Sequence, residues 1–120
     1  MAGLEGVIVV DLTQYAAGPA ASRLLGELGA TVIKVEPPYG DAQRTQGPGF
    51  GCEQTDMEDP TIDLNNTNKN FVSINLKNEE GMKFMKKLLA DADIFVNNLR
   101  DKALNKMGLD YETLHKEFPT

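Results

Sequence analysis

Val7-Ile8-Val9-Val10, followed further on by Thr31-Val32-Ile33-Lys34-Val35-Glu36, decides the fold of this chain. The first run is apolar and β-branched without interruption, which suits a strand covered on both faces and therefore a parallel sheet. Between the two runs, Pro19 can open a helix, because the first helical turn leaves its N–H groups unbonded anyway. Ala20, Leu24, Leu25 and Leu28 then recur at helical spacing, and Gly29 is placed to end that helix. Pro37-Pro38 stops the second strand. Residues 7–36 are thus expected to form one βαβ unit.

Outward from this unit the signal changes. Residues 37–70 are rich in Gly, Pro, Asp, Asn and Thr, with no sustained period, and read as a long functional or disordered loop. Alternation returns at Phe71-Val72-Ser73-Ile74-Asn75-Leu76. Asn78 follows as a helix cap, with Glu79 and Glu80 in the first turn and Met82, Met85, Leu88 and Leu89 as the buried stripe. Ile94-Phe95-Val96 closes a second βαβ unit, and residues 101–107 and 111–117 read as short helices, the latter capped by Asp110. Strands alternating with helices predict an α/β sheet with right-handed crossovers. The final Phe118-Pro119-Thr120 is a turn signal where another parallel strand is expected, so residues 1–120 read as the N-terminal part of a longer enzyme.

With 120 residues, one domain is expected, and roughly two-thirds of the unfolded surface can be buried without covalent staples. The single Cys52 permits no internal disulfide and fits a reducing compartment. Twelve Lys+Arg against 18 Asp+Glu give a formal charge of −6, which argues against a protein built to coat nucleic acid or an anionic membrane. No apolar run approaches the ~20 residues of a membrane span, and Met1-Ala2-Gly3-Leu4-Glu5 lacks the basic flank of a secretory signal. A cytoplasmic location is the expectation.

Ligands of open α/β sheets sit beyond the carboxyl ends of the strands, which directs attention to loops 11–18, 37–50 and 97–102. The first has only Gly18 before Pro19, not the G-x-G-x-x-G that lets a pyrophosphate approach a helix start. Glu36 does stand where an acidic residue holds the ribose in dinucleotide enzymes, so a dehydrogenase is the competing class. Gly47-Pro48-Gly49-Phe50-Gly51 lacks a Gly-Lys-Ser/Thr ending and reads as a plain turn. Val96-Asn97-Asn98 is not followed by a Tyr-x-x-x-Lys pair, since Tyr111 is followed four residues on by His115. His115 reads as a surface helix residue. Cys52, Asp56 and Glu58 do not have metal-ligand spacing, and Asn65-Asn66-Thr67 matters as a sequon only in a secreted protein.

The specific strings say more. Leu4-Glu5-Gly6, Val9-Val10-Asp11-Leu12-Thr13, Ala17-Gly18-Pro19, Leu28-Gly29-Ala30 and Val32-Ile33-Lys34-Val35-Glu36-Pro37-Pro38 with Gly40-Asp41 resemble the start of the family III CoA-transferases. The likeness continues through Asn68-Lys69, Ile74-Asn75-Leu76-Lys77, Glu80-Gly81, Leu88-Leu89-Ala90-Asp91-Ala92-Asp93, Val96-Asn97-Asn98 and Met107-Gly108-Leu109. The group includes formyl-CoA transferase, carnitine CoA-transferase and α-methylacyl-CoA racemase.

The resemblance implies a Rossmann-like subdomain, two interlocked subunits, and coenzyme A or acyl-CoA bound as substrate with no tightly held cofactor. By motif matching, Ala16, Ile74, Asn75, Leu76, Lys77, Asn98, Leu99, Arg100 and Lys106 fall on CoA-contacting positions. Lys77, Arg100 and Lys106 would meet phosphates, while the backbone at 74–76 and Leu99 would border the adenine. The implied chemistry moves CoA from an acyl-CoA to a free carboxylic acid through an aspartyl-CoA thioester. The nucleophilic Asp of that scheme matches nothing before residue 120, so the 120-residue chain alone is expected to be inactive. Asp11 reads as structural, and Asp91 and Asp93 flank a helix end. A racemase-like enzyme and a non-catalytic CoA-binding module are the alternatives.

Departures from the family pattern are local. Ala16 stands where formyl-CoA transferase often has Gln, Asn68-Lys69-Asn70-Phe71 replaces Asn-Lys-Arg-Ser, and Asn98-Leu99-Arg100-Asp101-Lys102 replaces the usual Asn-Phe-Arg/Gly-Pro-Gly. Residues 50–65 form an atypical, acidic, insertion-like stretch to which the sequence assigns no role. The changed first loop implies a substrate other than formate or oxalate.

Overall fold

A computed structural model describes residues 3–55 and 57–119. In it the β-branched run lies at the centre of the sheet. Strand β1 (Ile8–Leu12) is flanked by β2 (Thr31–Glu36) on one side and β4 (Ile94–Asn97) on the other, with β3 (Lys69–Ser73) beyond β2, giving the order β3-β2-β1-β4. All pairings are parallel, with Val9 opposite both Val32 and Ile94. The helices are α1 (Ala17–Glu27), α2 (Pro60–Asn66), α3 (Glu79–Ala90), α4 (Asp101–Met107) and α5 (Tyr111–Glu117). This is the expected Rossmann-like α/β fold.

Each face of the sheet has its own core. Val10, Leu12, Val35 and Ile74 pack with Met85 and Leu89 of α3, Leu104 of α4, and Leu109. On the opposite face, Val9, Ala30 and Val32 meet Leu25 of α1, with Ile94 and Val96 alongside. Met85, fully buried, contributes about 1.5–3 kcal/mol by leaving water.

Several expectations hold in detail. Asn78 caps α3 by accepting the Gly81 N–H at 2.7 Å, and Asp110 caps α5 by accepting that of Thr113 at 3.0 Å. Gly108, at φ 68°, turns the chain between α4 and α5 in the left-handed region that suits glycine. No helix among the described residues is long and apolar enough to cross a membrane.

Others need correction. Residues 37–70 are not one irregular loop. They hold two short 3-10 helices, Ala42–Thr45 and Gly47–Phe50, and then α2, which Asp59 caps and Pro60 begins. Of their buried positions, Gly47, Thr61, Ile62 and Asn66, only Ile62 carries an apolar side chain, so no hydrophobic stripe marks them in the sequence. Strand β3 starts at Lys69 and ends at Ser73, so residues 74–76 lie beyond its carboxyl end. The second crossover does not join neighbours, because α3 runs from β3 at one edge to β4 at the other. Finally, the apolar spacing does not mark the buried face of α1: Leu24 and the C-cap residue Leu28 are 53% and 54% exposed, and the fully buried positions are Pro19 and Ser22. This helix packs closely through small residues. A Cβ added at Gly18 would lie 2.6 Å from the Cβ of Thr13. Asp56, together with Met1, Ala2 and Thr120, lies outside the described residues.

Candidate ligand crevice at the carboxyl edge of the sheet

A strand covered on both faces cannot leave a charge unpaired, and the α1 side of this sheet buries several. Asp11, at the end of β1, is fully buried. Its carboxylate accepts hydrogen bonds from the Thr13 N–H at 2.9 Å, the Thr13 hydroxyl, the Ser22 hydroxyl at 2.6 Å and Lys69 Nζ at 2.9 Å. Lys69 also donates to the Pro19 carbonyl at 2.9 Å and to Asn66 Oδ1 at 2.8 Å, so all three of its ammonium protons are used. Burial pushes the Asp11 carboxyl up, but the bonds from Ser22, Thr13 and Lys69 outweigh it and hold the group below its ordinary value. Burial lowers Lys69, and its bond to Asp11 offsets this in part. Asp11 is therefore a structural hub.

One strand over, Lys34 Nζ is fully buried. It donates to the Thr13 carbonyl at 2.9 Å and sits 2.9 Å from Asp41 Oδ2. Asp41 Oδ1 accepts the N–H groups of Tyr15 at 3.1 Å and Gln43 at 2.9 Å. Glu36 accepts the Asp41 N–H at 2.8 Å and is clamped on both oxygens by Arg44, at 2.8 and 2.6 Å. Burial raises Glu36, and Arg44 with the Asp41 N–H brings it below the ordinary value. A carboxylate occupied in this way does not offer itself to ribose hydroxyls. The Arg44 guanidinium also lies 5.8 Å from the centre of the Phe71 ring, beside a 430 Å³ cavity that Tyr39 and Ser73 help to line.

The chain runs outward from β1 to β2 and β3, then returns to the other side at β4, so the topological switch point lies between β1 and β4. Ligand crevices of open α/β sheets form there. Asn98, just after β4, closes this point: its side chain accepts the Gln14 N–H at 3.1 Å and donates to the Gln14 carbonyl at 2.9 Å.

The residues picked out by resemblance all lie at or near this edge, in different settings. Ala16 is the exposed residue before α1, with no side-chain cap. Ile74 points into the apolar core, and its N–H donates to the Glu36 carbonyl at 2.9 Å. Asn75 folds its side chain onto the Lys77 N–H at 3.0 Å, Leu76 is half-buried, and Lys77 is exposed. Gly81 allows this turn to press on α3, since a Cβ there would lie 1.9 Å from the Asn75 carbonyl oxygen. Asn98 is spent on Gln14, Leu99 is half-buried, and Arg100 and Lys106 are exposed at the two ends of α4.

Segment 74–77 follows β3 and segment 98–100 follows β4, at opposite edges of the sheet, so three strand spacings, about 14 Å, separate them. Lys77, Arg100 and Lys106 have no ion-pair partner among the described residues. The sequence reading missed Lys34, Asp41, Arg44 and the closing role of Asn98. The signal available was a lysine and a glutamate inside a strand buried on both faces.

A groove of 620 Å³ lies along β4, α4 and α5 and includes none of the predicted residues. His115 stands there, stacked on Tyr111 with ring centres 5.3 Å apart, as an exposed helix residue. Asp93 Oδ2 accepts the Ile8 N–H at 2.8 Å and anchors the start of β1.

The fold is a Rossmann-like α/β unit whose carboxyl edge carries the loops after β1, β2, β3 and β4. The sequence pattern of CoA-transferase family III matches residues 4–120, and the chain belongs to that family.

Among curated relatives, the (R)-2-hydroxy-4-methylpentanoate CoA-transferase of Clostridioides difficile is 47% identical over 116 residues, 97% of this chain and 29% of that protein. The cinnamoyl-CoA:phenyllactate CoA-transferase of Clostridium sporogenes is 46% identical, over 96% of this chain and 28% of that protein. The human succinyl-CoA:glutarate CoA-transferase is 45% identical, over 97% and 26%. A solved CAIB/BAIF family protein from Brucella suis superposes with a TM-score of 0.86 at 38% identity, covering 96% of this chain and 30% of that one. The chain thus spans less than a third of the length of these relatives.

Proposed function

We propose that these residues form the N-terminal, CoA-binding part of a CoA-transferase that moves CoA between an acyl-CoA and a free carboxylic acid. The carrying observation is family membership over residues 4–120, supported by loops 13–16, 74–77 and 98–100 opening on the same edge of one sheet. Lys77, Arg100 and Lys106 are exposed cations suited to the phosphates of CoA. The backbone at 74–76 and Leu99 would border the adenine, and Ala16 would lie near the thioester.

In this reading an Asp outside the present 120 residues attacks the thioester carbonyl and expels the CoA thiolate. The thiolate then displaces the acid from the mixed anhydride, leaving an aspartyl-CoA thioester, and the acceptor acid reverses the sequence. The acids at this edge have other duties: Asp11, Glu36 and Asp41 are buried and bonded within the fold. The working enzyme is a cytoplasmic homodimer.

The test is transfer by the full-length protein from succinyl-CoA, acetyl-CoA or cinnamoyl-CoA to a panel of acids. The panel is 2-hydroxy-4-methylpentanoate, phenyllactate, glutarate and oxalate, with products resolved by chromatography. Transfer to at least one acid is expected, with none by the 120-residue chain alone. Absence of CoA exchange with every pair, by protein shown to be folded, would contradict the reading.

A further inference from the structure

Tyr15 adopts φ 66°, a left-handed conformation that side-chain-bearing residues avoid unless their surroundings hold them there. The surroundings grip three successive residues. Lys34 holds the Thr13 carbonyl, Asn98 holds both backbone groups of Gln14, and Asp41 Oδ1 accepts the Tyr15 N–H. The same Oδ1 accepts the Gln43 N–H at the start of the 3-10 helix Ala42–Thr45. One oxygen therefore ties the loop after β1 to the loop after β2, beside the switch point.

We infer that Asp41 is a positioning residue for the CoA site, an inference that rests on the CoA-transferase reading above. Its two oxygens have separate tasks. Oδ2 balances the buried ammonium of Lys34, while Oδ1 holds Tyr15 left-handed and so sets the direction in which Ala16 and the start of α1 leave the carboxyl edge. Asp41 itself is 2% exposed and cannot touch a ligand. Its influence passes through the backbone of Tyr15.

The experiment compares two variants of the full-length protein, Lys34→Met/Asp41→Asn and Lys34→Met/Asp41→Ala. Removing the lysine from both leaves neither charge buried and unpaired, so both are expected to fold. The Asn variant keeps an Oδ1 acceptor and the Ala variant does not. Lys34→Met/Asp41→Leu, matched in size to Asn, stands in if the alanine pair fails to fold.

Three readouts are taken: hydrogen exchange of the Tyr15 amide, CoA affinity by calorimetry, and the KM and kcat of transfer. The acceptor-free variant should exchange at Tyr15 at least tenfold faster than the Asn variant. It should also bind CoA about tenfold more weakly, about 1.4 kcal/mol, with KM for acyl-CoA raised and kcat within about threefold. Equal exchange at Tyr15 would overturn the grip, and equal CoA affinity despite unequal exchange would overturn its link to binding. If the unmodified protein failed to bind CoA at all, both the positioning role and the reading beneath it would fall.

Discussion

The two faces of this sheet bury the same strands by opposite means, and β1 belongs to both. Toward α3 it presents Val10 and Leu12 to an apolar cluster built with Met85, Leu89, Leu104 and Leu109. Toward α1 it presents Val9 to a small apolar cluster and then Asp11 to Lys69, Ser22 and Thr13. The apolar face is non-directional and gives stability. The ionic face is directional, and its bonds end on backbone beyond the strands: Lys34 on Thr13, Lys69 on Pro19 in the first turn of α1, and Asp41 on Tyr15 and on Gln43 of the first 3-10 helix. A well-packed apolar replacement can match a buried ion pair in stability, but it offers no donor to a loop carbonyl. The ionic face is thus where this fold shapes the loops at the carboxyl edge of its sheet.

The comparison breaks most visibly at Lys69. Lys69→Met strands a buried carboxylate, and we expect a loss of about 3–5 kcal/mol by chemical denaturation. Adding Asp11→Val should recover part of that loss, because the uncompensated charge is gone. On the apolar face, Met85→Ala should cost about 2–5 kcal/mol through a cavity, with loop exchange near Tyr15 left as it was. Equal loosening of that loop by both substitutions would erase the distinction between the faces.

A smaller effect is expected at the turn onto α3. Gly81→Ala forces a methyl group against the Asn75 carbonyl and should cost about 1–3 kcal/mol. Hydrogen exchange across residues 74–78 should report the displaced turn. Gentlest is the response to acid. The folded-state values of Asp11 and Glu36 lie below their ordinary ones, so their contribution is complete above the ordinary carboxylate range and is lost as pH falls through the folded values. Stability should be level from neutral pH to about 5 and fall from about pH 4 downward. Met85→Ala should keep that profile at a lower level, whereas Asp11→Val/Lys69→Met should make it shallower, with the share of Glu36 remaining.

What could be read in advance follows from what each face is made of. Apolar runs and capping residues are local signals, so β1, β2, α3, α4, α5 and the side-chain caps supplied by Asn78 and Asp110 were legible. Helix α1 was legible as a helix but not in its orientation. It packs through Gly18, Pro19 and Ser22, and small residues carry no hydrophobic signature. Helix α2 was hidden because its buried positions, Thr61, Ile62 and Asn66, are mostly polar, and Thr, Asn and Asp favour turns over helices. Family resemblance picked out segments 74–77 and 98–100, and parallel topology puts both at the carboxyl edge. The ionic lattice stayed hidden because topology alone brings its partners together: Asp11 and Lys69 are 58 residues apart and meet only once β3 takes its place beyond β2.

The most direct test of the central claim is calorimetric titration of the full-length protein with CoA, with NAD as control and Lys77→Ala as a second sample. Binding of CoA and not NAD, weakened at least fivefold by the substitution, is the predicted result. Binding of NAD in place of CoA, or CoA binding untouched by the loss of Lys77, would contradict the assignment of this edge.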